Sequence, residues 1–174
     1  MSVTLRIDVK GVQDALAKSD LVLKYVDGAL AAGALLIQRE AVRAAPKADG
    51  TLHRNIQTGR LQQLLHQVNS RAAHGVFVER GTGLQGPQRR ASGKQNLSPQ
   101  GRANIASWIA RKGIQPRPGV SAERLSWLIS RSIARKGTRP QPYLEPANTP
   151  ANARRIADLV EKAMQRGITE AGLG

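Results

Sequence analysis

The sequence predicts an α+β fold: a long helix in the N-terminal half packed on a small antiparallel sheet, with further helices in the C-terminal half. Three observations carry this. Residues 3–9 alternate, with Val3, Leu5, Ile7 and Val9 set against Thr4, Arg6 and Asp8, the period of a half-buried strand. Residues 20–45 repeat apolar positions at helical spacing (Val26, Leu30, Gly33/Ala34, Ile37, Ala41, Ala44). Beyond Ser98, three apolar-periodic stretches each open on a Ser or Thr cap and run to a glycine.

Taken in order, residues 11–19 fit a short helix or a loop. The long helix ends at Pro46, which cannot continue it. Its Ala- and Gly-rich face predicts a closely approaching partner element. Residues 46–60 are polar and turn-prone, with Pro46, Asp49-Gly50 and Gly59. Two weak strands are expected next, at 62–69 (Leu64, Leu65, Val68) and at 75–80 (Val76 and Val78 against Phe77 and Glu79). Gly81-Thr82-Gly83 stops the second. Residues 84–101 lack any periodicity and predict a long loop, a kind of segment that is usually functional or disordered.

Ser98-Pro99 opens a helix that carries Ile105, Trp108 and Ile109 and ends at Gly113. Ser121 caps the next, with Glu123 in its first turn, a stripe of Leu125, Leu128, Ile129 and Ser132/Ile133, and Gly137 at its end. Pro140 to Pro146 predicts an extended, edge-like segment. Thr149-Pro150 starts the last helix, with Ile156, Leu159, Val160, Ala163 and Met164 facing inward before Gly167. Arg111, Lys112, Arg135, Lys136 and Arg166 fall in last turns, where they complement the helix dipole.

A chain of 174 residues fits a single domain spanning 1–174, able to bury about 70% of its unfolded surface. It would carry a long basic loop at about 84–101 and a terminal helix at about 150–166. No repeat or clean boundary divides it. The N-terminus alternates and is charged early, unlike a signal peptide. The longest apolar stretch, 28–38, is bounded by Asp27 and Arg39 and is far short of the about 20 residues a span needs. A soluble protein made in the cytosol, with no membrane contact, is expected.

Cysteine is absent, which excludes disulfide scaffolds, thiolate metal sites and thiol nucleophiles. His53, His66 and His74 are scattered and read as polar surface or loop residues. No residue set has the ligand spacing of a metal site. No Gly-x-Ser-x-Gly turn exposes a serine. The six Asp and six Glu leave the stretch from Arg80 to Ala122 without an acid, unlike a two-metal nuclease. Gly86 to Lys94 has the wrong glycine spacing for a phosphate loop, and Gln95 follows the lysine. No enzyme activity, metal or cofactor is expected.

What stands out is the sign of the charge. Lys+Arg total 27 against 12 acids, a net +15, and Arg outnumbers Lys 19 to 8. From Arg80 to Arg139 there are 13 basic residues and one acid, Glu123, a net +12. Such a segment attracts polyanions in a salt-dependent way. Three readings remain open: contact with a DNA backbone, docking on an acidic protein surface, or a solvated face with no partner. Base-specific readout is not expected. The connector Gly113 to Val120 holds Pro116 and Pro118 and is twice the length of a helix-turn-helix turn. Aromatics make up only 3%, too few for stacking along a single strand.

The order of these pieces resembles the tail-completion, or neck, proteins of long-tailed bacteriophages, a group that includes head–tail joining and minor tail protein Z-like chains. The likeness is carried by a long Ala-rich helix ending in Arg43-Ala-Ala-Pro46, by Thr58-Gly-Arg-Leu61, and by Phe77-Val-Glu-Arg-Gly-Thr-Gly83. It continues in Ala106-Ser-Trp-Ile-Ala-Arg-Lys-Gly113, and in Ile133-Ala-Arg-Lys-Gly-Thr-Arg-Pro-Gln-Pro-Tyr-Leu144 with Pro146-Ala147. His74-Gly75 replaces the family's Tyr-Ala, and Arg80 its Phe.

The resemblance implies a structural virion protein at the head–tail junction, assembled in the host cytoplasm. It would form a ring of six copies around the DNA channel and meet head-closure or connector proteins on one side and tail terminator or tail tube proteins on the other. It supplies no catalytic residues. On this reading Arg89, Arg90, Lys94 and Arg102 are candidate contacts to DNA or a neighbouring ring, with plain solvation as the alternative. Tyr143 and Leu144 are candidates for a subunit interface or for the chain's own core. A free, sequence-nonspecific DNA-binding protein is the alternative function.

Overall fold

The computed structural model describes residues 4–8, 20–47, 50–87 and 97–172, with residues 4–8 described through their backbone. It confirms the α+β class. The elements are β1 (Thr4–Asp8), α1 (Asp20–Ala44), α2 (Thr51–Asn55), β2 (Ile56–Gln62), β3 (Leu65–Ser70), α3 (Gly75–Arg80), a 3-10 turn (Gly83–Gln85), α4 (Pro99–Lys112), α5 (Ala122–Lys136), a second 3-10 turn (Glu145–Ala147) and α6 (Pro150–Glu170). The chain forms two compact units, one of Met1–Val76 with Pro142–Gly174, the other Phe77–Gln141.

In the first unit the sheet order is β1-β3-β2, antiparallel throughout, with Leu5 opposite Val68 and Gln57 opposite Asn69. A bulge between Arg60 and Gln62 leads into a two-residue hairpin loop. There Leu64, buried, takes φ 60, an unusual conformation for a side chain of that bulk. Helix α1 buries Val22, Val26, Leu30, Gly33, Ala34, Ile37 and Ala41, close to the predicted stripe, although Ala44 is exposed. Each fully buried Val, Leu or Ile contributes about 1.5–3 kcal/mol.

The small residues of α1 serve the close approach expected of them. The partner is α6: a Cβ at Gly33 would lie 3.0 Å from Ile156 Cγ1, and one at Gly167 only 2.8 Å from Val22 Cα. Gly167 therefore sits inside α6, which runs on to Glu170, rather than ending the helix. Burial on α6 follows Asn152, Ile156, Val160 and Gly167, while Leu159 is 37% exposed. The Gln38 amide donates to the Ile56 carbonyl (2.7 Å) and ties α1 to the sheet.

Three expectations are corrected. Part of the turn-prone stretch 46–60 is ordered as α2 and the start of β2. Residues 75–80 form a helix, not a strand; six residues are too few for a period of two to exclude one of 3.6. The segment around Pro140–Pro146 is no strand, and its end closes into the 3-10 turn at Glu145–Ala147. Residues 11–19 lie outside those described.

Candidate functional site

The second unit is held by two glycine–threonine turns, at 81–83 and 137–138. The Thr82 amide donates to the Thr138 carbonyl (3.0 Å). The Thr138 amide donates back to Thr82 Oγ1 (2.9 Å), and the two hydroxyls lie 3.0 Å apart. Just beyond, the Gln141 amide donates to the Val78 carbonyl (2.8 Å). Only glycine fits at the contact. Gly137 has φ 82 and ψ −170, and a Cβ there would fall within the Thr82 carbonyl oxygen. The two turns thus meet each other, with Thr82 and Thr138 56 residues apart in sequence.

Helices α4 and α5 start as predicted: Ser98 Oγ accepts from the Gly101 amide (3.1 Å), and Ser121 Oγ from the Arg124 amide (3.1 Å). Gly113 ends α4 in the left-handed conformation (φ 62). The two helices flank a groove of about 420 Å³ whose lining includes Ile109, Ile114, Pro116, Ala122 and Ser126. The buried face of α5 differs from expectation. Ser126, Ser130 and Ala134 are buried, whereas Leu125, Ile129 and Ile133 are only half-buried and Leu128 is exposed. Helix α5 packs on α4 and on the 3-10 turn at Gly83–Gln85, and its inward face carries small side chains that permit close approach.

Charge is segregated between the units. Phe77–Gln141 contains 13 basic residues and two acids, Glu79 and Glu123, a net +11 of the chain's +15. All ten of the basic residues described there are exposed. Two carboxylates cannot neutralise this set. Arg131 stacks over the Trp127 ring (Cζ to centroid 5.1 Å), a cation–π contact. Of the loop candidates, Arg89, Arg90 and Lys94 lie outside the described residues. Arg102 sits in the first turns of α4 and is exposed; helix begins at Pro99, so the last residues of the stretch 84–101 are not loop. Tyr143 and Leu144 are buried, at 0% and 3% exposure, so neither presents a surface to a neighbour.

Sequence reasoning missed a polar cluster in the first unit. Asp27 Oδ1 accepts from the Leu64 amide (2.9 Å) and from His66 Nε2 (3.0 Å), while Arg60 reaches Oδ2 (3.1 Å). Burial pushes the Asp27 carboxyl up, but the Leu64 amide, His66 and Arg60 together hold it below its ordinary value of 3.8. His66 is thus a buried strand residue, contrary to the surface position expected. His53 is half-buried and donates to the Ala45 carbonyl (2.9 Å). The cluster braces the strained hairpin at Leu64, and no signal local to the sequence links Asp27 to partners 37 and 39 residues away. A second cluster joins Tyr25, Arg166 and Glu170. Tyr25 hydroxyl donates to Glu170, Arg166 Nε pairs with Glu170 (2.8 Å), and its guanidinium covers the Tyr25 ring (5.0 Å). Hydrogen bonding to Glu170 raises the Tyr25 phenol, and the same bond, with Arg166, lowers the Glu170 carboxyl.

Among the described residues no group of three or more His, Asp and Glu is placed to hold a metal ion, and no helix is long and apolar enough to cross a membrane. The chain matches no protein-family model, no curated protein and no solved structure.

Proposed function

We propose that the chain is a structural virion protein that completes the tail of a long-tailed bacteriophage and joins it to the head connector. In this role it acts as one subunit of a ring around the DNA channel, between head-closure or connector proteins and the tail terminator or tube. The observation that carries the reading is the mutual lock of the turns at 81–83 and 137–138. Two motifs that define the resemblance, remote in sequence, make sense together as one structural device. The α+β fold with its long small-residue helix is consistent with the family's architecture. The charge of Phe77–Gln141 suits a surface beside a DNA conduit.

The test is location. Particles from the source are purified, treated with nuclease and labelled with a gold-tagged antibody against this chain. A single gold position at the head–tail junction is the expected result. Absence from particles, with the protein on free DNA in the lysate, overturns the neck reading and favours the free DNA-binding alternative.

A further inference from the structure

Helix α5 carries a row of arginines whose setting differs from that of the exposed face of α6. At 3.6 residues per turn, Arg124, Arg131 and Arg135 fall within about 40° of one another and span about 16 Å of helix axis. All three are exposed, and they lie well away from the buried row Ser126, Ser130, Ala134. Helix α6 is the internal comparison. Its exposed positions mix Arg154, Arg155 and Lys162 with Asp158 and Glu161, and Arg166 pairs with Glu170 four residues on (2.8 Å). That is how a face meant only for water is usually composed. In α5 the single acid is Glu123, at the helix start, and Arg131 and Arg135 are like charges at i,i+4, an arrangement that destabilises a helix.

We infer that the Arg124–Arg131–Arg135 row is a binding surface for the phosphate backbone of duplex DNA. The inference rests on the reading of the basic unit as DNA-facing. Duplex DNA presents one charge per about 1.7 Å of axis, so the row spans a length bearing about ten phosphates. Arginine's planar fork suits phosphate oxygens. Trp127, stacked against Arg131, holds the middle guanidinium at the surface in advance of binding. Seven further exposed basic residues described in the same unit supply the surrounding field that concentrates a polyanion there. Contacts to phosphate carry no sequence information, so binding is indifferent to sequence.

The experiment uses the full chain and a fluorescently labelled duplex of about 30 base pairs, with binding followed by anisotropy between about 50 and 200 mM salt. Two duplexes of unrelated sequence are expected to bind equally. Arg124→Ser/Arg131→Ser/Arg135→Ser is expected to reduce the slope of log affinity against log salt by about 2.7, roughly 0.9 for each lost phosphate contact. Lys24→Ser/Arg39→Ser/Arg154→Ser makes the same change in net charge at exposed positions of the other unit and is expected to leave the slope nearly unchanged. Arg124→Lys/Arg131→Lys/Arg135→Lys keeps the charges and most of the slope, and guards against a folding defect.

Equal loss in both serine variants overturns the inference, since net charge alone would then explain binding. A serine variant of α5 that binds as the parent chain does also overturns it, and leaves an acidic protein surface as the partner to seek. Row-dependent DNA binding by a chain absent from particles would sustain the inference while the neck reading fails. A chain at the neck with no row-dependent binding is the reverse case.

Discussion

Replacing Gly137 by alanine tests the lock between the two turns. Gly137 has φ 82 and ψ −170, a region open essentially to glycine alone, and a side chain there costs about 1–3 kcal/mol. The added Cβ would also clash with the Thr82 carbonyl oxygen and carbon, so the turns must part. Parting them loses the Thr82–Thr138 backbone bond (3.0 Å) and the Thr138 amide bond to Thr82 Oγ1 (2.9 Å), each worth about 0.5–1.5 kcal/mol. The expected destabilisation is about 2–6 kcal/mol, a large fraction of a domain's total stability. Gly113→Ala is the control. Gly113 is also left-handed (φ 62) but has nothing within 4 Å of the added methyl, so it loses only about 1–2 kcal/mol. Trp108 and Trp127, the two tryptophans of the chain, both lie within Phe77–Gln141. Tryptophan fluorescence during urea unfolding therefore reports on the unit that contains the lock. If Gly137→Ala costs no more than Gly113→Ala, the contact with Thr82 carries no weight in the fold and the argument is wrong.

Asp27→Asn removes the carboxylate that receives Leu64, His66 and Arg60, with an expected loss of about 1–3 kcal/mol in urea unfolding followed by circular dichroism. Because the folded Asp27 carboxyl lies below 3.8, its contribution is full above that pH and is lost as pH falls through the folded value. The variant's melting temperature is accordingly expected to change less with acid below pH 3.8 than the parent's. Two glycines give opposite signs. Among the described residues nothing lies within 4 Å of a Cβ added at Gly28 on α1, and Gly28→Ala is expected to stabilise by about 0.5–1 kcal/mol. At Gly167 the new Cβ meets the Val22 backbone at 2.8 Å, and Gly167→Ala is expected to lower the melting temperature despite alanine's better helix propensity. Ser121→Ala removes the cap on the Arg124 amide and is expected to cost about 1 kcal/mol, measured by the same fluorescence assay.

What was legible in the sequence was local. Ser98, Ser121 and Thr149 each accept a hydrogen bond from the amide three residues on, and a cap needs no knowledge of the rest of the chain. The stripe of α1 was legible because 25 residues sample its period many times over. Short elements were not: 75–80 satisfies both periods, and β2 holds Gln57, Thr58, Gly59 and Arg60, with little apolar signal. Apolarity misdirected the reading of α5, whose inward face carries the small Ser126, Ser130 and Ala134. The Asp27 cluster depends on pairings that only the fold creates. Segregation of charge was readable by counting. The arginine row was present in the same letters, but Arg135 already had an explanation in the helix dipole, and the row emerged only once the structure showed which face of α5 is buried.

The residues that lock the turns at 81–83 and 137–138 and the residues best suited to contact a partner are different sets. Gly81, Thr82, Gly83, Gly137 and Thr138 are consumed by the contact between the turns, which closes this unit. Arg124, Arg131 and Arg135 have no comparable structural duty on the outer face of α5. The two sets can be separated by experiment. Gly137→Ala is expected to lose both folding of the unit and DNA binding. The triple serine variant of α5 is expected to lose binding while its unfolding midpoint stays within about 0.5 kcal/mol of the parent, the ordinary range for surface substitutions. A triple variant that unfolds with the severity of Gly137→Ala would make the row part of the scaffold, and the division drawn here between fold and surface would fail.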